Sequence, residues 1–365
     1  MTLAAWLHDL DPVIVKIAGD FAVRWYGVAY AIGFMLGWAQ FTWLYKRGAG
    51  LLSANRVPDA MMAMIFGVIL GGRLGYVLIY ERELVTAISS SFPFWGVLMI
   101  NKGGMAFHGA VAGLLFAAWW ISRGVKVDGG RREGAMPFSH MIDLMAFVAP
   151  AGLMLGRLAN FVNGELLGQI VAKPGEVAPW WAVKYPQEIA SDHVVPYTPE
   201  QARELGLILD RFGRQTLGDG RAAERLVHEI QTGAGVAHAN LLQEVSNLVS
   251  ARHPSQLYQA FAEGPVLALV LWIVWARPKR SGTLACVFLI VYGICRVIIE
   301  QFFRLPDPQL QVQRILGLSR GQWLSAAMLG AGVIGLAFVY RKGNDVVRLG
   351  GWLAQKDAGD APART

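Results

Sequence analysis

Seven runs of mostly apolar residues, each near the length needed to cross a lipid bilayer, dominate this sequence. A transmembrane helix needs roughly 20 such residues to cover about 30 Å of hydrocarbon. Only 16% of the 365 residues are charged, against about 25% in typical soluble domains. The pattern predicts an all-α, polytopic membrane protein with seven transmembrane helices. The runs cover approximately residues 23–45, 59–80, 94–121, 139–161, 258–276, 282–303 and 323–340, and polar residues at 101–104 indicate a re-entrant or loop segment in the third.

The lysine and arginine residues of the loops predict the orientation of the chain. Fifteen of them follow the first, third, fifth and seventh runs, and six lie in the loops on the opposite side. Because short positively charged loops stay in the cytoplasm, we expect the N-terminus outside and the C-terminus in the cytoplasm. The first 22 residues lack a basic leader and a small-residue cleavage site, so they are not predicted to be a signal peptide. The formal net charge of +7 is spread between the apolar runs, which argues against nucleic acid as a partner.

The longest polar segment, approximately residues 169–254, joins the fourth and fifth runs on the outside. It begins with a proline- and tryptophan-rich stretch, and from Pro199 its apolar residues recur three or four positions apart, as in amphipathic helices. We expect a helical extracytoplasmic cap there; the alternative is a surface insertion with no catalytic part. The predicted divisions of the chain are helices one to four with a signature motif at 1–168, the cap at 169–254, helices five to seven at 255–345, and a cytoplasmic tail at 346–365.

Polar side chains inside the runs are the candidate functional residues, because burying them in a membrane is costly. With the orientation above they fall in the outer half of the bilayer, so the site is expected to open toward the outer leaflet. The guanidinium group of an arginine can bind two phosphate oxygens at once, and a histidine can accept a proton. The residue set therefore favours a phosphorylated lipid headgroup as the ligand. It comprises Tyr26, Arg73, Tyr76, His108, Arg157, Asn160, Asn163, Glu165, Tyr292, Arg296 and Glu300.

Less specific interpretations of these residues stay open at this point. Arginines near span ends often extend their charge to the membrane interface, and tyrosines such as Tyr26 and Tyr76 are common in the aromatic belt. Arg296 and Glu300 stand one helical turn apart and would neutralise each other. His108, a single histidine among glycines, would also serve as an interhelical hydrogen-bond partner. The runs contain neither a paired-ligand metal motif nor a GxSxG nucleophile turn, so no metal and no serine nucleophile is expected.

Residues 156–168 read GRLANFVNGELLG, which resembles the signature GRxxNFxNGExxG of the prolipoprotein diacylglyceryl transferases. Further segments resemble the same family in the same order, so that six of the seven runs carry a match. They are RWYG at 24–27, GGRLGY at 71–76, GGMAFHG at 103–109, RHPSQLY at 252–258, and the stretch from Tyr292 through Arg296 and Glu300 to Arg304. The sequence departs from the family pattern at Asn101 and Lys102, where an acidic residue is usual, and in the length of its outer loop.

The resemblance implies a bacterial inner-membrane enzyme that needs no cofactor and whose site faces the periplasm and the outer leaflet. It implies transfer of the diacylglyceryl group of phosphatidylglycerol to the lipobox cysteine of preprolipoprotein signal peptides, with release of glycerol phosphate. The functional residues of the family correspond here to Tyr26, His108, Arg157, Asn160, Gly168, Tyr292, Arg296 and Glu300.

These observations together predict catalytic roles for His108 as the base and for Arg157 and Arg296 as phosphate ligands. Glu300 is expected to orient Arg296, and Glu165 to orient Arg157. Substrate binding is expected of Tyr26, Arg73, Tyr76, Asn160, Asn163, Glu165, Gly168, Tyr292 and Glu300. The alternative functions are a phospholipid transporter, which usually shows two related halves that this sequence lacks, and a lipid-modifying transferase with another acceptor.

Overall fold

Helices form most of the protein, as the apolar runs predict. The computed structural model describes residues 5–18, 21–88, 94–99, 104–191, 195, 197–304, 318–341 and 348–353. The α-helices are α1 (Trp25–Lys46), α2 (Val57–Ile79), α3 (Phe107–Ser122), α4 (Phe138–Asn163), α5 (Pro199–Arg211), α6 (Arg214–Leu217), α7 (Asp219–Thr232), α8 (Val236–Ser246), α9 (Ser255–Phe261), α10 (Leu267–Val274), α11 (Thr283–Phe302) and α12 (Arg320–Arg341). The strands are β1 (Trp6–Leu7), β2 (Val13–Ala18), β3 (Phe21–Arg24), β4 (Val125–Lys126), β5 (Arg132–Glu133), β6 (Ile170–Ala172), β7 (Val183–Lys184), β8 (Ala251–Arg252), β9 (Lys279–Arg280) and β10 (Arg348–Leu349).

Within the described residues, five helices are long and apolar enough to cross a membrane. They coincide with five of the predicted runs and cover Ala54–Ile79, Phe138–Asn163, Ser255–Val274, Thr283–Phe302 and Gly321–Arg341. The first run forms α1, whose 22 residues include tryptophans and tyrosines that lower its mean hydropathy. The third run forms a shorter helix, because α3 starts only at Phe107 and has 16 residues. The interruption expected at 101–104 lies, apart from Gly104, outside the described residues.

The chain forms two compact units, each made of separate stretches of sequence. The first unit comprises Met1–Gly33, Pro150–Ala268 and Leu289–Gly330, and the second comprises Phe34–Ala149, Leu269–Phe288 and Ala331–Thr365. The polar segment 169–254 and parts of several apolar helices therefore fold together in the first unit.

In the second unit, α2 and α3 pack backbone against backbone along a row of glycines. A methyl group on Gly113 would lie 1.9 Å from the carbonyl oxygen of Gly67, and one on Gly109 would lie 2.1 Å from that of Gly71. Small residues allow this close approach between membrane helices, whose association is driven by packing. The contact fixes the first turn of α3, on which His108 is the second residue.

In the first unit, four short strands form a sheet in the order β1-β7-β8-β6. β8 pairs antiparallel with both β7 and β6, and β1 pairs parallel with β7. The helical pattern predicted from Pro199 is confirmed, and Thr198 and Gln201 form a reciprocal capping box at the start of α5. The apolar faces of α5, α7 and α8 share a core that also contacts Leu7 of β1. The most buried members of this core are Ala222, Leu226, Ile230, Val245 and Val249.

A π-helical turn interrupts the fifth apolar run. α9 ends at Phe261, the turn covers Ala262–Val266, and α10 continues from Leu267. Pro265 lies inside the turn and has no backbone N–H, so it cannot make the regular helical hydrogen bond. Such turns are rare in proteins and occur frequently at functional sites. This turn carries Glu263, whose side chain is fully buried.

Candidate active site

The signature motif ends in a tight loop at residues 164–168, the signature loop, directly after α4. Gly164 and Leu166 adopt left-handed backbone conformations, with φ of 67° and 58°. This conformation is strained for leucine and persists only where the surroundings hold it. Ser255 Oγ donates to the carbonyl of Leu166 at 3.0 Å, and Gln256 Nε2 donates to the preceding carbonyl. The RHPSQLY segment therefore supports the signature loop.

The 169–254 segment contributes to this support. Tyr185 OH donates to Gln256 Oε1 at 3.1 Å, and both side chains are fully buried. Burial raises the pKa of Tyr185, so the hydroxyl keeps its proton and remains a donor. Glu188 accepts hydrogen bonds at 2.6 Å from a backbone N–H and from Nε of Arg252, and breaking such a buried pair would leave an uncompensated charge. Residues of the 169–254 segment thus hold the side chains that support the signature loop.

Gly168, a predicted substrate-binding residue, takes part in close backbone packing. A Cβ at this position would lie 2.0 Å from the carbonyl oxygen of His253. Arg252 Nη1 donates to the Gly168 carbonyl at 3.0 Å, and Gly168 pairs with Arg304 in an isolated β-bridge. The approach of these backbone segments accounts for a glycine here.

Asn160, Asn163, Glu165 and Tyr26 form one polar cluster at the signature loop. Asn160 Nδ2 contacts the Tyr26 hydroxyl and donates to Glu165 Oε2 at 3.2 Å. Asn163 Nδ2 donates to Glu165 Oε1 at 2.9 Å, and its buried Oδ1 has no hydrogen-bond partner among the described residues. The predicted orientation of Arg157 by Glu165 is wrong, because Arg157 binds Glu263 and the oxygens of Glu165 accept from the two asparagine amides. The cluster offers hydroxyl and amide groups to a polar ligand.

Arg157 and Arg296, the arginine pair, share one buried carboxylate. Arg157 Nε donates to Glu263 Oε2 at 2.8 Å, and its Nη2 donates to Oε1 at 3.4 Å. Arg296 Nη1 lies 3.7 Å from the same Oε1 and makes no hydrogen bond to any described residue. The two arginine side chains are 15% and 19% exposed, whereas that of Glu263 is 0% exposed. Two cations and one anion leave an excess positive charge, which suits a phosphodiester.

Tyr292 joins this group through Arg157, with which its side chain interacts. It lies on α11 four residues before Arg296, so both side chains project from one face of the helix. Glu263 is the residue to which sequence reasoning assigned no role. The available signal was a carboxylate within an apolar run, where a charge needs a partner. Periodicity did not reveal which arginine would be that partner.

The predicted pairing of Arg296 with Glu300 is wrong, although both lie on α11 one turn apart. Glu300 accepts a hydrogen bond from Ser319 Oγ, and a Cβ on Gly321 would lie 2.8 Å from its carboxylate oxygens. Ser319 and Gln322 form a reciprocal cap at the start of α12, with distances of 2.9 and 3.1 Å. Glu300 therefore holds the start of α12, and the carboxylate of the π-helical turn stands beside Arg296 instead.

In the second unit, Arg73 is buried and engaged with the backbone. Its Nε and Nη2 donate to the carbonyls of Val97 and Gly96, both at 2.7 Å, and its Nη1 donates to that of Gly104 at 3.0 Å. The guanidinium lies 5.6 Å from the ring centre of Tyr76, within the range of a cation–π contact. These contacts favour an anchoring role for Arg73 over headgroup binding.

Tyr76 and His108 also belong to the second unit. The Tyr76 hydroxyl donates to Glu81 Oε1 at 2.8 Å. His108 is exposed on the first turn of α3. The first unit brings together seven of the predicted site residues around the signature loop and Glu263. They are Tyr26, Arg157, Asn160, Asn163, Glu165, Tyr292 and Arg296.

Two histidines of the first unit lie outside the apolar runs and are kept neutral by burial. Burial lowers the pKa of His8, whose Nε2 donates to the Phe161 carbonyl at 2.7 Å and whose Nδ1 accepts from Gln187 Nε2 at 3.2 Å. Burial also lowers the pKa of His253, whose ring stacks on Trp181 with the ring centres 5.1 Å apart. Both rings therefore serve as packing and hydrogen-bonding groups at neutral pH.

The whole of this site lies within a region shared with known proteins. The family model for prolipoprotein diacylglyceryl transferase matches residues 12–338. A phosphatidylglycerol-prolipoprotein diacylglyceryl transferase of Bdellovibrio bacteriovorus is 36% identical over 345 residues, covering 90% of this chain and 92% of the relative. Proteins of the same name from Neisseria gonorrhoeae and Photorhabdus laumondii are 35% and 33% identical, covering 90% and 93% of this chain and 95% and 96% of the relatives. The chain therefore belongs to the prolipoprotein diacylglyceryl transferase family.

Proposed function

We propose that this protein transfers the diacylglyceryl group of phosphatidylglycerol to the lipobox cysteine of preprolipoproteins and releases glycerol phosphate. The names of its relatives state this donor and this class of acceptor. The observation that carries the proposal is the arginine pair on one buried carboxylate, Glu263. Cationic groups held among apolar helices are suited to a phosphorylated lipid headgroup.

The proposed reaction is a displacement at carbon. The cysteine sulfur forms a bond to the glyceryl carbon while the bond between that carbon and a phosphate oxygen breaks. The electron pair of the broken bond stays on the oxygen, so negative charge increases on the departing glycerol phosphate. The thiol proton goes to a base, which raises the thiolate fraction of a group whose ordinary pKa is about 8.5.

The arginine pair would stabilise the charge on the leaving phosphate. Glu263 holds Arg157 by hydrogen bonds and forms an ion pair with Arg296 before the substrate binds, so little reorganisation is needed as charge develops. In a dry site each such donor contributes about 3 to 4 kcal/mol to the stability of the transition state. Arg296 Nη1 is buried and makes no hydrogen bond to a described residue, and a phosphate oxygen would supply the missing acceptor.

The polar cluster at the signature loop is assigned to bind the uncharged glycerol part of the headgroup. Tyr26 and Asn160 offer a hydroxyl and a carboxamide, and Asn163 offers a buried amide oxygen. These groups match glycerol hydroxyls, which both donate and accept hydrogen bonds. Glu165 orients the two amides by accepting one hydrogen bond from each.

His108 is assigned as the base that accepts the thiol proton, because histidine is the side chain that most often acts as a general base in enzymes. Arg73 supports it by holding the carbonyl of Gly104, four residues earlier. Tyr76, whose ring contacts the Arg73 guanidinium, is assigned to substrate binding.

The protein is assigned to the bacterial inner membrane with seven spans, the N-terminus outside and the C-terminus in the cytoplasm. Five apolar helices support a multi-pass arrangement, and the loop lysines and arginines support its direction. The helices α1 and α3 complete the seven spans. In this orientation α4 runs outward, so the signature loop at its end opens to the periplasm and outer leaflet, and α5 to α8 form an extracytoplasmic cap.

The test is transfer by the purified protein in detergent. Phosphatidylglycerol and a synthetic lipobox peptide are supplied, and peptide mass and glycerol phosphate are followed together. We expect a mass gain of one diacylglyceryl group with an equal amount of glycerol phosphate, both abolished when the peptide cysteine is replaced by serine. Phosphatidylglycerol binding without transfer would overturn the proposal in favour of a phospholipid transporter, and glycerol phosphate release without peptide modification would indicate another acceptor.

A further inference from the structure

Gln259 is a buried polar side chain to which the site described above gives no task. It lies on α9 and is 0% exposed. Neither its Oε1 nor its Nε2 has a hydrogen-bond partner among the described residues. Folded proteins pair nearly all buried polar groups, because an unpaired one loses its hydration without compensation. A carboxamide with both ends unpaired therefore points to a ligand.

The neighbours of Gln259 on its helix show where the carboxamide lies. Three residues earlier, Gln256 donates to a carbonyl of the signature loop. Four residues later, Glu263 binds the arginine pair. Residues three and four apart share one face of a helix, so Gln259 stands between the signature loop and the arginine pair.

Helix α4 runs antiparallel to α9, because Arg157 meets Glu263 while the later signature loop meets Gln256. Asn160 lies three residues beyond Arg157 on α4, and Gln259 lies four residues before Glu263. With a helix rise of about 1.5 Å per residue, Asn160 and Gln259 stand about 4.5 and 6 Å beyond the arginine level, in the same direction. Asn160 and Gln259 thus form a carboxamide layer next to the arginine pair.

We propose that Gln259 binds the hydroxyl groups of the donor's glycerol headgroup and so selects the donor lipid. This inference rests on the proposed transferase function. A phosphodiester held by the arginine pair places the next headgroup atoms in the carboxamide layer. The carboxamide of Gln259 supplies two donors and an acceptor, which a vicinal diol satisfies. A site built to bind a substrate hydroxyl rejects analogues without it, since the polar groups of the site then stay unpaired.

The experiment compares two donors with the same peptide acceptor in detergent. One is phosphatidylglycerol, and the other is phosphatidylpropanol, which has the same phosphodiester and chain length but neither hydroxyl. The unaltered protein should favour phosphatidylglycerol in kcat/KM by about 100-fold or more, because the loss of two hydroxyls leaves buried polar groups unpaired. Gln259→Met should lower kcat/KM for phosphatidylglycerol by about 10-fold, mainly through KM, and should reduce the preference by the same factor, as expected for the loss of one hydrogen-bonding side chain. The Tm should rise, because an apolar side chain of similar volume replaces an unpaired buried amide.

Gln256→Met is the matched control. Gln256 is equally buried on the same helix, but both ends of its amide are bonded within the protein. Its replacement should lower the Tm and slow transfer from both donors alike, leaving the preference unchanged. An unaltered preference in Gln259→Met, or equal rates with both donors in the unaltered protein, would overturn the inference while leaving the transferase function intact. Absence of any transfer by the unaltered protein would overturn the function and the inference together.

Discussion

Glu263 Oε2 accepts a hydrogen bond from Arg157 Nε at 2.8 Å, in a π-helical turn where the Glu263 side chain has no exposed surface. The other oxygen of this carboxylate lies 3.7 Å from Arg296 Nη1. Charges removed from water are tolerated only when they are paired, so this carboxylate explains how two guanidinium groups stand among apolar helices. It also sets the positions of both groups before a phosphate binds.

We expect Glu263→Gln to lower kcat for transfer by about 100-fold, because both guanidinium groups lose the partner that positions them. Removing one member of a buried ion pair also lowers the free energy of unfolding by about 3 to 5 kcal/mol. Transfer kinetics and thermal unfolding in detergent measure the two effects separately.

Glu244→Gln is the control for this change. Glu244 forms an ion pair with Arg211, and the two side chains are 46% and 52% exposed. Exposed pairs contribute about 0 to 1 kcal/mol, so the rate and the Tm should stay near those of the unaltered protein. A Glu263→Gln enzyme with unchanged kcat would show that Glu263 does not position the arginine pair.

Gly168→Ala should lower both stability and transfer. The added methyl group would lie 2.0 Å from the carbonyl oxygen of His253, so the backbone segments beside the signature loop must separate. Overpacking of this kind costs about 1 to 3 kcal/mol. Gly156→Ala, in the same motif, is the control, because nothing lies within 4 Å of its added Cβ. Equal Tm values and equal rates for the two variants would contradict a packing role for Gly168.

The stability of the first unit should fall with decreasing pH, in part through His8. Burial lowers the pKa of His8 below its usual value of about 6.5. Between the folded-state pKa and about 6.5, the unfolded chain binds a proton that the folded chain does not. The unfolding free energy therefore drops as the pH falls through this window, by at most about 1.4 kcal/mol per pH unit, and the contribution is fully present above it.

Thermal unfolding at a series of pH values from about 7.5 to 5.5 measures this slope. His8→Gln keeps a polar side chain but removes the titrating ring, so its Tm should depend less steeply on pH. Identical slopes for the variant and the unaltered protein would exclude His8 as a source of the pH dependence.

The long helices could be predicted from the sequence because apolar runs of membrane-spanning length leave few other structures. The run at 282–303, for example, became Thr283–Phe302. The π-helical turn at Ala262–Val266 could not be predicted. A proline inside an apolar run can be accommodated by a kink, a break or a π-helical turn, and the sequence does not distinguish them. The two-residue strands β7 and β8 could not be predicted either, because they pair segments far apart in the sequence and are too short to show a periodic pattern.

The site was predictable where its residues share one motif and unpredictable where it joins separate helices. Asn160 and Glu165 lie within one signature and do contact each other. The local spacing rule assigned Glu300 to Arg296, but the structure supplies the carboxylate from Glu263 on another helix. Spacing along one helix predicts which side chains share a face, but it does not predict which neighbouring helix packs against that face.

The arginine pair is expected to act on the leaving phosphate during transfer and to do more than hold the donor lipid. Single-turnover transfer to the lipobox peptide at saturating phosphatidylglycerol, measured together with the Kd for phosphatidylglycerol in Arg157→Gln, tests this most directly. We predict a loss of about 100- to 1,000-fold in the transfer rate with less than about 10-fold weaker binding. A transfer rate that returns to that of the unaltered protein once phosphatidylglycerol is saturating would contradict the claim.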